Sequence, residues 1–519
     1  MNRNIKHTYT GAMVAIALLA SSCNDFLDTV PDDRTEIDAP GKVTNILVSA
    51  YPSVSPVYLA ELSSDNAKDN GALYDVYGQL QQEAYLWKDV TSSDTDDAPY
   101  GLWNACYNAI ASANQALQAI DELGDPVSLQ PQKGEALLCR AFAHFQLATI
   151  FCHTYNPANS QAVSGIPYMT KPETTVVTRA DRGNLEDTYA AIERDIEAGL
   201  PLINDAVYSV PKYHFNKKAA CAFAARFYLY YLKYDKVIEY ADKVLGADAT
   251  GLTRNWQSLS ELATDYELRC NTYISHTESC NLMLQAVRSS WPYVHGPYAI
   301  GLRYGNAYRV LLSEILPGPW GAYNKLYISN GIWGFEQKYS FPKIIGYFEY
   351  TDKTAGIGYL HMVNPVFTTD ELIMCRAEAY LLRQNPDMDK AMADINVVLN
   401  SMTGQTFNKE FIIAYYKSLS FMPTNVKSDD DRSIKKAINP QGIRIADENV
   451  ENMIQCILHV RRVLTVHEGL RWFDIKRYGI EVTHTRAGMA NDVLRVDDPR
   501  RAIQLPQEVI AAGLEANPR

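Results

Sequence analysis

Two stretches about 130 residues apart carry the same order of residues, and this repetition constrains the fold more than any other feature of the chain. Ala225–Leu245, "ARFYLYYLKYDKVIEYADKVL", and Ala377–Leu399, "AEAYLLRQNPDMDKAMADINVVL", each run Tyr-Leu, a turn, Asp-Lys, then Val-Leu nine residues after the Asp. Ala225 and Leu229, like Ala377 and Leu381, place a small residue four positions before a large one, the spacing at which a neighbouring helix is received. Helical hairpins of this kind cannot bury their apolar faces alone and must stack. Gly101–Gly124 sets Trp103, Tyr107, Ile110, Asn114, Leu117 and Ile120 on one stripe at steps of three and four. Gly134–Phe151 repeats the pattern with Leu138, Ala141, Phe145 and Ala148, with Pro131 near its start. Leu185–Leu200 and Asn216–Leu232 read as a third and fourth helix.

The expected fold is therefore all-α, a tetratricopeptide-like helical repeat solenoid with repeats at about 101–250 and 366–480. Between the repeats the character changes. Arg288–Pro342 is rich in Gly, Pro, Trp and Tyr, and a second aromatic, irregular segment runs from Tyr51 to Pro99. Long irregular segments are uncommon in compact domains and often carry function. A large, loop-rich insertion over about 251–365 is expected within one domain spanning 23–519.

A formal net charge of −12 excludes a basic footprint for nucleic acid. Arg3 and Lys6, then the apolar "GAMVAIALLA" and "SSC", give residues 1–22 the layout of a signal peptide. The small-small-Cys ending resembles the lipobox of bacterial lipoproteins, with Ala20 in the usual leucine position, so cleavage before Cys23 and its lipidation are expected. Acyl chains there would anchor the protein at about 0.8 kcal/mol per buried methylene. Cys106, Cys139, Cys221, Cys375 and Cys456 sit among apolar residues at helical spacing and read as buried thiols. Whether Cys270 and Cys280 pair is left open by their spacing.

The stretches "CNDFLDTVP", "ELSSDN", "WNACYNAIASAN", "GEALLCRAFAHFQL", "GIPY", "NKKAACAFAARFYLY", "TTDELIMCRAEAY", "HEGLRWFDIKRYG" and the terminal "LPQEVI" follow one another along nearly the whole chain. In that order they resemble the SusD/RagB family of surface nutrient-binding lipoproteins of the Bacteroidetes. Leu464 and Thr465 depart from the family's Glu-Leu ahead of the EG pair, and Cys152 replaces a customary glycine. The resemblance implies tetratricopeptide-type helix pairs with an irregular insertion. It also implies an outer-membrane location, a SusC-like TonB-dependent transporter as partner, and capture of oligosaccharides, or in some branches peptides. It implies neither catalysis nor a cofactor.

The residues agree with a binding role. A glycan offers apolar C–H faces and many hydroxyls, so its site needs aromatic platforms flanked by polar groups, and tyrosine, with 34 copies against 15 Phe, supplies both. The expected ligand-binding residues are Trp291, Tyr293, Tyr298, Trp320, Tyr323 and Tyr327 in the insertion, with Asp65, Asn66, Asn70 and Tyr74 in the N-terminal irregular segment. A helical-repeat adaptor for peptide or protein ligands is the alternative. No G-x-S-x-G elbow, P-loop, dinucleotide fingerprint or H-E-x-x-H occurs, because Arg471 stands four residues after His467. The acidic runs Ser92–Pro99 and Ser428–Ser433 lack the glycine and distal glutamate of a calcium loop and read as solvated loops. Glu468, Arg471, Asp474 and Arg477 fall at steps of three with alternating sign, a structural ladder along the closing helix.

Overall fold

The computed structural model describes residues 39–172, 181–262, 265–297, 301–329, 332–334 and 338–519. The signal-peptide segment, Cys23 and Tyr298 lie outside these residues. The four helices read individually form within a few residues of the expected bounds as α2 (Pro99–Glu122), α3 (Gln130–Phe151), α4 (Leu185–Gly199) and α5 (Lys217–Tyr230); α6 (Tyr234–Leu245), α7 (Thr369–Leu382) and α8 (Met388–Thr403) complete the two repeat copies, α9 (Lys409–Ser418), α10 (Glu448–Thr465) and α11 (Leu470–Arg477) follow, and α1 (Val57–Ser63) precedes them all. Caps fix several starts. Asn184, Asn216, Thr368, Asp387 and Asp447 each accept a backbone N–H of the following turn.

The two repeat copies, remote in sequence, are neighbours in space. The α5/α6 and α7/α8 hairpins stack through the contact of α6 with α7. Arg376 of α7 ties that stack together: it forms a bidentate pair with Asp394 of α8 at 2.7 and 2.9 Å and reaches Asp242 of α6 at 2.8 Å. Arg140 of α3 does the same for α4 through Asp195, with two contacts at 2.7 Å. A buried guanidinium is tolerated here because its fork matches a carboxylate.

Within the loop-rich insertion, strands form. Asn281–Arg288 (β2), Gly346–Asp352 (β4) and Ile357–Thr368 (β5) form an antiparallel sheet in the order β2-β5-β4, and β5 runs directly into α7. The short strands Ala67–Asp69 (β1) and Tyr304–Asn306 (β3) pair with each other, joining the N-terminal segment to the insertion. The bonds continue from Asn70 N–H to the Arg303 carbonyl and from Asp75 N–H to the Gly301 carbonyl.

The closing stretch also differs from the expected ladder. His467 and Gly469 both take positive φ, at 74° and 78°, so α10 ends before them and Glu468 lies outside any helix. Gly469 is needed there: a Cβ would stand 3.0 Å from the Val57 Cα. Of the four charges only Asp474 and Arg477 pair with each other, at 3.3 Å. Glu468 binds Lys343 at 3.1 Å, Arg471 holds Asp65 with two contacts of 2.8 Å, and Arg477 reaches Glu378 on α7 at 2.5 Å. Burial sends each of the four to a remote partner, since a buried charge needs a close and complete counterpart. All eight described cysteines are free and buried, Cys270 and Cys280 among them.

Candidate ligand-binding surface

The sheet and the β1–β3 pairing bring three remote segments to one surface. The turn after β2 carries Ser289 and Ser290, whose hydroxyls donate to Asp97 at 2.6 and 2.7 Å, while Ser290 N–H adds a third bond at 2.7 Å. Asp97, near the end of the first acidic run, is a buried latch, while Ser93, Asp94 and Thr95 of the same run are exposed. Burial raises the Asp97 carboxyl above the usual range despite these donors. The following single turn, Trp291–His295, points Trp291 inward and Tyr293 outward.

Tyr293 is 39% exposed and Tyr77 is 44% exposed. Burial, followed by the nearby Asp97 carboxylate and the Tyr293 hydroxyl, raises the pKa of Tyr77, so its phenol stays protonated and able to donate near neutrality. The Tyr293 ring lies over Gly346, where a Cβ would come within 2.5 Å of its Cε2. Gly346, Phe348 and Tyr350 alternate along β4 and so share a face. Phe348 and Tyr350 are exposed and meet edge to face with centroids 4.8 Å apart. Arg288 and Asp96 stand 3.5 Å apart beside the acidic latch. The result is a row of exposed rings, those of Tyr77, Tyr293 and Tyr350 carrying hydroxyls, bordered by charged hydrogen-bonding groups and held from below by buried bonds. Gly346→Val should displace the Tyr293 ring and weaken ligand binding about tenfold while leaving the unfolding midpoint nearly unchanged, a comparison for calorimetry and thermal melts.

The structure sorts the expected site residues. Tyr293 reaches this surface, and Asn70 and Tyr74, both half-buried, lie on the segment leading to Tyr77. Trp291 is fully buried, edge-on to Tyr58, and its Nε1–H donates to the His467 carbonyl at 2.9 Å. Trp320 is buried on His459 and donates to the Leu316 carbonyl at 2.8 Å. Neither indole offers a face to a ligand. Asp65 is consumed by Arg471 and Arg462, and Asn66, fully buried, bridges Glu61 and Arg462. Tyr323 is exposed in a short 3₁₀ turn, and the Tyr327 hydroxyl packs against Gly404 at the end of α8. Tyr77, Phe348, Tyr350 and Asp97 escaped the sequence reading; the period-two order of Gly346, Phe348 and Tyr350 ahead of a polar turn was the available signal. Among the described residues no group of three or more His, Cys, Asp or Glu is placed to hold a metal ion.

Residues 25–229 match a SusD-like family model described as "starch-binding associating with outer membrane". No curated protein matches the chain. Solved structures share the fold at low identity. A SusD superfamily protein from Bacteroides thetaiotaomicron is 18% identical with a TM-score of 0.60, covering 92% of this chain and 98% of its own. A SusD-like carbohydrate binding protein from Bacteroides vulgatus is 14% identical at 0.58, covering 88% of each chain. A laminarin binding SusD-like protein is 14% identical at 0.55, covering 93% and 99%.

Proposed function

We propose that this protein is SusD-like and binds a neutral oligosaccharide without cleaving it, at the surface formed by Tyr77, Tyr293, Phe348 and Tyr350; its partial family match and its fold support that reading. The observation that carries the reading is the row of solvent-facing rings on a rigid sheet and latch, since aromatic faces stack on sugar C–H faces while phenols and flanking charges meet hydroxyls. Buried tethers reduce the ordering cost of binding. The family description and the names of two structural relatives support a carbohydrate as the ligand. In this reading the protein hands its ligand to a SusC-like transporter and is held at the outer membrane by lipid on Cys23.

Isothermal titration with maltohexaose, laminarihexaose and a peptide library tests the ligand class. Saturable binding to an oligosaccharide that peptides do not displace is expected; peptide binding alone would favour an adaptor, and product release would reveal an enzyme. Cys23→Ser should move the protein from the membrane to the soluble fraction in cell fractionation.

A further inference from the structure

A groove of about 700 Å³ lies on the solenoid side, between α2, the segment Pro167–Lys171 and the C-terminal Val509–Leu514. That volume falls within the range of small-molecule sites, about 300–1,000 Å³. We propose that this groove is a second saccharide-binding site, which rests on the reading above that the ligand is a neutral oligosaccharide.

Three features of the lining point there. First, its walls are fixed by bonds that do not depend on a ligand. Tyr107 donates to the Pro167 carbonyl at 2.8 Å, and Asn114 donates to the carbonyls of Met169 and Lys171 at 3.1 and 3.3 Å. Arg140 in turn donates to Asn114 Oδ1 at 2.9 Å, and Met169 N–H donates to His144 Nε2 at 3.0 Å. Second, the composition suits hydroxyls rather than ions. Among the described lining residues the only charged side chain is Lys171, and no carboxylate is present. Asn104 and Asn108, one turn apart on α2, line the groove; an amide both donates and accepts, as a sugar hydroxyl does. Third, Trp103 and Tyr107 run beside this amide row and pack on each other at 4.9 Å, giving an apolar wall next to a polar one.

Ala111 lies on α2 in the groove lining, one turn from Asn108, and makes none of these tethers. Ala111→Trp therefore fills the space without cutting a wall bond, and Asn108→Leu removes an amide at an exposed position. The test is calorimetric stoichiometry with maltohexaose and laminarihexaose on the wild type, each groove variant and Tyr77→Ala/Tyr293→Ala, with melting temperature as the folding control. Two sites are expected in the wild type, one in Ala111→Trp, a several-fold weaker groove site in Asn108→Leu, and one, the groove, in the double tyrosine variant. A single wild-type site that the double variant loses and Ala111→Trp keeps would overturn the groove while leaving the first surface intact. A single site with the opposite pattern would support the groove and overturn the first surface, and binding by none of the proteins would overturn both.

Discussion

Glu378→Ala should lower the stability of the protein by about 3–5 kcal/mol, the cost of removing one partner from a buried charge cluster. Glu378 sits on α7, fully buried, and accepts from Arg461 of α10, from Arg477 of α11 at 2.5 Å and from the Tyr478 hydroxyl at 2.7 Å. Without it, two guanidinium groups remain buried with only Asp474 to share. Burial alone would raise the Glu378 pKa, but Arg461 and Arg477 outweigh it and draw the value from 4.5 down to about 2. Because the folded value lies below the unfolded one, the contribution is complete above about pH 4.5 and is lost as pH falls toward about 2. Glu314, held by Arg432, Lys436 and Arg462 and likewise drawn to about 2, titrates in the same window. Urea midpoints of wild type and Glu378→Gln at pH 7 and pH 3 check the sign: the gap between them should narrow at the lower pH. A gap that widens would mean that the cluster is not ionised as described.

The second large effect separates two aromatic residues that sit two positions apart. Trp291→Ala should cost about 3–5 kcal/mol in stability, because it opens a cavity beneath the surface and leaves the His467 carbonyl without its donor. Tyr293→Ala should cost about 1 kcal/mol or less, since its ring is more than a third exposed. The order reverses for ligand binding: Tyr293→Ala loses about tenfold, while the folded fraction of Trp291→Ala keeps its affinity within a few-fold. Chemical denaturation and titration of the same preparations read both. Equal binding losses from the two variants without a stability difference would place both rings at the ligand, against their burial.

Sequence gives the helices of this protein readily, because the 3.6-residue apolar period is local and the Asn and Asp caps lie within one turn of the residues they bond. It also gives the stacked repeat, since the Ala225–Leu245 and Ala377–Leu399 copies share a pattern and α6 packs on α7. What it does not give is which side of a short element faces water. Trp291 and Tyr293 differ in direction only because Gly346 and Tyr58 come from segments far along the chain. Asp65 reads as a ligand contact until Arg471, some 400 residues later, takes both its oxygens. The charged ladder fails for the same reason: spacing suggests neighbours along one helix, whereas burial rewards the complete pairing that only tertiary contact supplies.

The central claim is that the exposed rings Tyr77 and Tyr293 form a sugar-binding surface. It is tested most directly by titrating maltohexaose and laminarihexaose into wild type and Tyr77→Ala/Tyr293→Ala at matched stability, resolving the affinity of this site. A loss of about 100-fold, or about 2.7 kcal/mol, at this site in the double variant is the expected result. Undiminished affinity of every site in the double variant, or no binding of either oligosaccharide to the wild type, would contradict it.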